Sequence, residues 1–314
     1  MDNIPAIEVI DNTSWDKYLS KANQSSPFQT YAWSKGIERI LGGKFMPVYA
    51  VIGQRSWLIP CYLGSPWATN DELRIGSIGY GGPLPIHEIE DISGEYIAIQ
   101  DVLNGLSLKF NCSQVMATLY PRPGWGELND RGLSLSETVI VPLSSTIETI
   151  FTLTLTGNTR TAIRKATKEG VVIREVNTEN IEECERAYKI LRDTQVSVGS
   201  NYTTNRDLFF ALARGETLGL TKVFISVVHD TITGVAVLVW NEHEAFHLFH
   251  GWDKAFAYSC ANQALIWHMM KYAHELNVPV FNMGESHSDS LLAAKLRWGG
   301  RTVPVARMSK RYTR

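Results

Sequence analysis

PVYAVI at residues 47–52 and SWLIPCYL at 56–63, joined by the polar GQR, are two runs rich in β-branched and aromatic residues and read as a β-hairpin. The plan recurs in KVFISVV (222–228), HDTIT and GVAVLVW (234–240). The correspondence lies in pattern, not identity. It predicts two similarly built α/β halves of mixed helix and sheet that meet near residue 145.

Outward from the first hairpin, residues 12–41 follow a helical spacing that SSPFQT interrupts at 25–30. A Gly/Pro-punctuated stretch centred on GSIGYGGPLP (76–85) precedes a helix over 93–109, a strand over 114–120 and a loop, PRPGWGELNDRG. ETVIVPL (137–143) is extended, and Ser144 is placed to cap a short helix running to Leu155. Around the second hairpin the pattern gives helices over 180–195, 206–213 and 261–276, strands EAFHLFHGWD and VPVFNM, a loop GESHS, and a last short helix from Asp289. The expected domains are 1–145 and 146–314, with the extreme C-terminus a candidate to pack back on the first half.

Composition bounds the class. With 44% hydrophobic and 20% charged residues in 314, the chain belongs with ordinary globular proteins and not with disordered or fibrous ones. It contains no apolar run of the ~20 residues that a membrane-spanning helix requires, and MDNIPAIEVIDN lacks the features of a signal peptide, so a cytoplasmic location is expected. Cys61, Cys112, Cys184 and Cys260 form no CxxC pair; buried thiols are expected, and neither a zinc site nor a disulfide framework. The net charge of −2 conceals an uneven distribution: residues 290–314 carry seven basic side chains and no acid, leaving −9 elsewhere. Such an end can attract phosphates, although a solvated, frayed tail accounts for it equally simply.

Several side chains could carry chemistry. In NTRTAIRKATKEGVVI (158–173), Arg160, Arg164 and Lys168 fall on one helical arc opposite Ala162, Ile163 and Ala166. This is either a solvated face or a phosphate-binding one. In SDSLLAAKLRWGG, Ser288 is an N-cap and Lys295 projects among Leu291, Leu292, Leu296 and Trp298. Its ammonium either snorkels to water or sits desolvated where it can stabilise an oxyanion. Glu285 and His287, in the loop after VPVFNM, are acid/base candidates or members of a hydrogen-bonded turn. His268 reads as a core histidine, and His247 and His250, three apart on one strand, are expected on opposite faces. No HExxH, Walker A, GxGxxG or GxSxG pattern is present, and no general base is evident.

PFQTYAW, GYGGPLP, NTRTAIRKATKEGVVI, FHLFHGWD, ANQALIWHMMKYAHELNVPVFNMGE and LLAAKLRWGG, in this order, resemble the peptidoglycan aminoacyltransferase (FemABX-like) family and the related acyltransferases of the GNAT superfamily. The resemblance implies an α+β chain of two tandem GNAT-like domains. It also implies transfer of an acyl group, often an amino acid from aminoacyl-tRNA, onto an amine of the kind found in cell-wall precursors. Lys295 matches the lysine of the family's Phe-Lys motif, with Ala294 in place of the aromatic residue. Trp33 and Tyr80, in the first two motifs, become substrate-binding candidates beside Arg160, Arg164, Lys168, Glu285 and His287. No cofactor is required on this reading, and neither DNA nor a metal is a partner. The donor is aminoacyl-tRNA or, less favoured, acyl-CoA, and the acceptor is a small-molecule amine.

There are two departures from the pattern. DTQVSVGS (193–200) lacks the arginine that muropeptide-using members carry, and KAFAYSCANQ lacks the glycines of a pyrophosphate loop, although Ser259 and Asn262 leave a helix start that can meet an anion. The alternatives are an acetyl-CoA-dependent N-acetyltransferase and a non-catalytic binding protein on the same fold.

Overall fold

The computed structural model describes residues 4–64, 69, 71–200, 203–215 and 220–312. The chain forms two compact units, Met1–Thr138 with Val303–Arg314, and Val139–Thr302. The division falls within a strand and not after residue 145. The C-terminal segment belongs to the first unit because its strand pairs there.

In the first unit, strands β1 (Ala6–Val9), β2 (Lys44–Ile52), β3 (Arg55–Leu63), β4 (Glu72–Ile75), β6 (Gln114–Thr118) and β13 (Arg301–Arg311) lie side by side in that order, and the short β5 (Leu84–Pro85) pairs with β3. The hairpin read from PVYAVI and SWLIPCYL is β2–β3, in register from Lys44↔Leu63 to Ile52↔Arg55. Helices α1 (Asn12–Leu19) and α2 (Tyr31–Leu41) precede it, and α3 (Ile92–Phe110) crosses over to bring β6 parallel to β4. Asp91 caps α3 by accepting from Ser93 and Gly94 N–H groups. Ile99, Val102, Leu103 and Leu106 of α3 bury against Ile59, Leu73, Ile75, Val115 and Ala117 of the sheet, and Ala306 and Met308 of β13 join the same core. Residues 301–311 are therefore a strand and not the solvated, frayed tail that their charge suggests; burial of Val303, Val305, Ala306 and Met308 outweighs the exposed cations among them. Arg314, the last basic residue, lies outside the described residues.

β7 (Ser134–Pro142) carries the chain into the second unit, where its end lies beside β12 (Val280–Ser286), followed in order by β11 (Ala245–Trp252), β10 (Thr231–Trp240), β9 (Thr221–Val228) and β8 (Val172–Glu175). The second hairpin is β9–β10, and its turn is only His229–Asp230, both at positive φ (46° and 59°), as a two-residue loop between right-twisted strands demands. A short helix α4 (Ile147–Thr149) continues into a π turn at Ile150–Thr154; α5 (Gly157–Lys168), α6 (Ile181–Ser197), α7 (Arg206–Arg214), α8 (Ala261–Glu275) and α9 (Asp289–Leu296) complete the unit. α8 covers one sheet face through Leu265, Met269 and Ala273 against Ala236, Leu238, Phe281 and Met283. On the other face α6 comes so near that a Cβ on Gly251 would lie 2.7 Å from the Leu191 backbone.

Candidate active site

β11 and β12 run parallel, but paired register extends only over Ala245↔Phe281 and Phe246↔Asn282. Buried Asn241, Glu244 and Asn282 lie at or next to this pairing. β12 ends in Asn282-Met283-Gly284-Glu285-Ser286, and Gly284 turns the backbone at φ 73°, a conformation that side-chain-bearing residues rarely adopt. Asn282 holds this turn: its Oδ1 accepts from the Gly284 N–H (2.9 Å), while its Nδ2 donates to Oε1 of the buried Glu244 (2.5 Å). Asn241 in turn accepts from the His243 and Glu244 N–H groups through its side-chain oxygen.

The turn receives Lys295. Ser288 caps α9 by accepting from the Leu291 N–H, so the helix starts where its seventh residue can reach back, and the Lys295 ammonium donates to the carbonyls of Gly284 (2.8 Å) and Glu285 (2.6 Å). Lys295 is half-buried. Burial pulls its pKa down to about 8, against the upward pull of the Glu285 carboxylate. An ammonium has three N–H donors, so two bonds to backbone leave a third for a ligand oxygen.

His247 and His250 are on the same face, contrary to the expectation from strict alternation. Leu248 is a bulge: Val237 pairs with Phe249 while Leu238 pairs with His247, so one residue of β11 has no partner and the parity shifts. Both imidazoles therefore share the face of Ala236 and Leu238, and His247 Nε2 lies 3.0 Å from His250 Nδ1. Burial, then His250 and Lys295, holds the His247 pKa well below its ordinary value; burial brings that of His250 to about 4, with the Asn262 amide pulling the other way. His250 Nε2, Asn262 Oδ1 and Ser286 Oγ are buried without a well-formed hydrogen bond.

The other candidates divide. Arg160 donates to the carbonyls of Thr152 (2.8 Å) and Leu155 (2.5 Å), completing the end of the π turn, so its guanidinium is committed to backbone. Arg164 lies 5.3 Å over the Phe151 ring, and it and Lys168 are exposed. The start of α5 does border the helix that carries Lys295: the Thr156 N–H and the Thr159 hydroxyl both donate to the Arg297 carbonyl. His287 is exposed, and Glu285 meets Lys295 through its carbonyl as well as its charge. Trp33 is fully buried, its indole N–H given to Ser77 Oγ (3.2 Å), and Tyr80 is equally enclosed. The motifs containing these two residues bind each other: Ser26 donates to the Tyr80 carbonyl (2.9 Å) and Gln29 to that of Gly82 (3.1 Å). Both residues thus sit in the interior of the first unit.

His268 is half-buried and packs edge-on to the core residue Phe224 with ring centroids 4.8 Å apart. Gln195, in the DTQVSVGS run, clasps Thr204 through both ends of its amide. Ser259, expected at the start of α8, is buried and donates to the Phe256 carbonyl while accepting from Ala261 N–H. Beside it a cavity of about 170 Å³ is lined by Thr233, Trp252, Asp253, Phe256, Cys260 and Asn262. Among the described residues no group of three or more His, Cys, Asp or Glu is placed to hold a metal ion.

Each unit carries a parallel strand pair in its part of the sheet, β4–β6 in the first and β11–β12 in the second. Residues 156–289 match the family model described as an acetyltransferase (GNAT) domain. The crystal structure of FemX superposes with a TM-score of 0.68 at 12% identity, covering 96% of each chain. A tandem GNAT protein from the clavulanic acid biosynthesis pathway gives 0.57 at 10% identity over 99% of this chain and 100% of that one. The C-terminal domain of a protein described as a putative lysylphosphatidylglycerol synthetase, from Agrobacterium fabrum, gives 0.53 at 14% identity over 95% and 92%. No curated protein matches the sequence significantly. The GNAT match thus falls within the second unit, and the chain as a whole is FemX-like in fold.

Proposed function

We propose that the chain transfers an acyl or aminoacyl group from an ester or thioester donor to an amine, with the reacting carbonyl beside Lys295. The observation that carries this reading is the ammonium fixed to the Gly284 and Glu285 carbonyls in a half-buried setting. Aminolysis passes through a tetrahedral oxyanion, and a preoriented N–H in a partly desolvated site stabilises that charge more than water does. Glu285 then serves to keep the ammonium charged, and the exposed Arg164 and Lys168 are available to a phosphate-rich donor. The likeness to FemX supports aminoacyl transfer in the synthesis of cell-wall or surface-polysaccharide precursors. The family match of residues 156–289 favours a second reading, with acetyl-coenzyme A as donor.

The test supplies the purified chain with a pool of charged tRNA or with acetyl-coenzyme A, against a panel of primary amines. With the donor that turns over, Lys295→Ala is expected to lower kcat by about 10²–10³ with a smaller change in KM, the loss typical of one oxyanion donor. Unchanged turnover in this variant would remove Lys295 from the chemistry, and absence of transfer from every donor would favour a binding protein. Saturable heat on titrating coenzyme A would select the acetyl reading.

A further inference from the structure

The second unit holds a pair of bonded imidazoles that oxyanion stabilisation does not use. A core has no need for two histidines, and buried polar atoms ordinarily find partners. Here the bulge at Leu248 turns both rings to one face and brings His247 Nε2 to 3.0 Å from His250 Nδ1, while His250 Nε2 and Asn262 Oδ1 are left buried without formed bonds. One tautomer resolves all three positions: His247 Nε2–H donates to His250 Nδ1, and His250 Nε2–H is available to Asn262 Oδ1. His247 Nδ1 then carries the free lone pair. The charged group acting on His247 from outside the pair is the Lys295 ammonium of α9; from α8 the neighbour is the neutral Asn262, and from β12 Glu285 acts on Lys295.

Resting on the transfer reading above, we propose that His247, backed by His250 and Asn262, takes the proton from the acceptor amine as the new C–N bond forms and returns it to the departing oxygen or sulfur of the donor. The atoms balance. The amine lone pair adds to the carbonyl carbon and the carbonyl π electrons become the oxyanion beside Lys295. The nitrogen, now cationic and acidic, loses a proton to His247 Nδ1, and the C–O or C–S bond breaks with that proton moving to the leaving group. Passage of the His247 Nε2 proton to His250 Nδ1 spreads the transient charge toward Asn262. A weakly basic, neutral imidazole suffices, because the nitrogen of the tetrahedral adduct is far more acidic than the free ammonium. Burial keeps both rings neutral at pH 7, so the His247 Nδ1 lone pair is present when the amine adds.

The experiment uses the donor and amine that turn over with the wild-type chain. His247→Gln and His250→Gln, which keep polarity but cannot take up a proton, are expected to lower kcat by about 10²–10⁴ with KM nearly unchanged. Imidazole in the medium should restore part of the turnover of His247→Gly, which no packing role explains. Full activity in both Gln variants would overturn the proposal while leaving the transfer reading intact; absence of transfer by the wild type with any pair would overturn both. Independently of substrate, nitrogen-detected NMR of the imidazoles should show two neutral rings at pH 7, with His250 protonated on Nε2. An imidazolium on either ring, or the opposite tautomer, would also contradict the assignment.

Discussion

At Lys295 two demands oppose each other. Partial burial makes the ammonium effective against a developing negative charge, yet it also disfavours the charged form and draws the pKa down to about 8. Glu285 opposes that drift. Because the charged form is the useful one, transfer should fall as pH rises through about 8. Removing the Glu285 charge lowers the lysine pKa further, so Glu285→Gln should move this alkaline limb to lower pH. Lys295→Arg, charged throughout the range, should abolish the limb even if its absolute rate is poor. Profiles of kcat/KM against pH for the three proteins check this, and coincident limbs would detach them from Lys295. The half-buried setting of Lys295 was partly legible in sequence, since a cation among Leu291, Leu292 and Trp298 is conspicuous; its two carbonyl acceptors were not, because they depend on a glycine turn in another element.

At the level of elements, the site depends on how β11 and β12 end. Glu244, Asn282 and Gly284 form a chain of hydrogen bonds from the start of one strand to the turn of the other, where Lys295 is received. Asn282→Leu would leave the Glu244 carboxylate short of a buried donor and free the Gly284 turn. A loss of about 1–3 kcal/mol in urea unfolding is expected, with a larger proportional loss of transfer. Unaltered stability would show the network to be dispensable. Hairpins, helices and their order followed from apolar periodicity. The His247–His250 pair did not, because periodicity assumes two residues per pleat and the extra residue at Leu248 cancels it without leaving a mark in composition. Nor did composition show that the motifs of Trp33 and Tyr80, which stand out in sequence, pack against each other inside the first unit.

For the whole molecule, repetition of one hairpin plan conveyed the tandem architecture, while charge counting misjudged the C-terminus, whose apolar alternation makes it a strand. The exposed cations bear on donor choice. If charged tRNA is the donor, its affinity should fall steeply with salt, and Arg164→Gln with Lys168→Gln should make the log–log slope shallower by about 1 for each phosphate no longer neutralised. A salt-insensitive affinity would exclude binding to a phosphate chain. The most direct test of the central claim needs no substrate: the ¹³C NMR titration of the Lys295 ε-carbon in labelled protein, assigned by its loss in Lys295→Arg. A midpoint near 8 is predicted for an ammonium held at a desolvated turn; a midpoint in the ordinary lysine range above ~10 would mean that the group stands in water, and the proposed centre of catalysis would be contradicted.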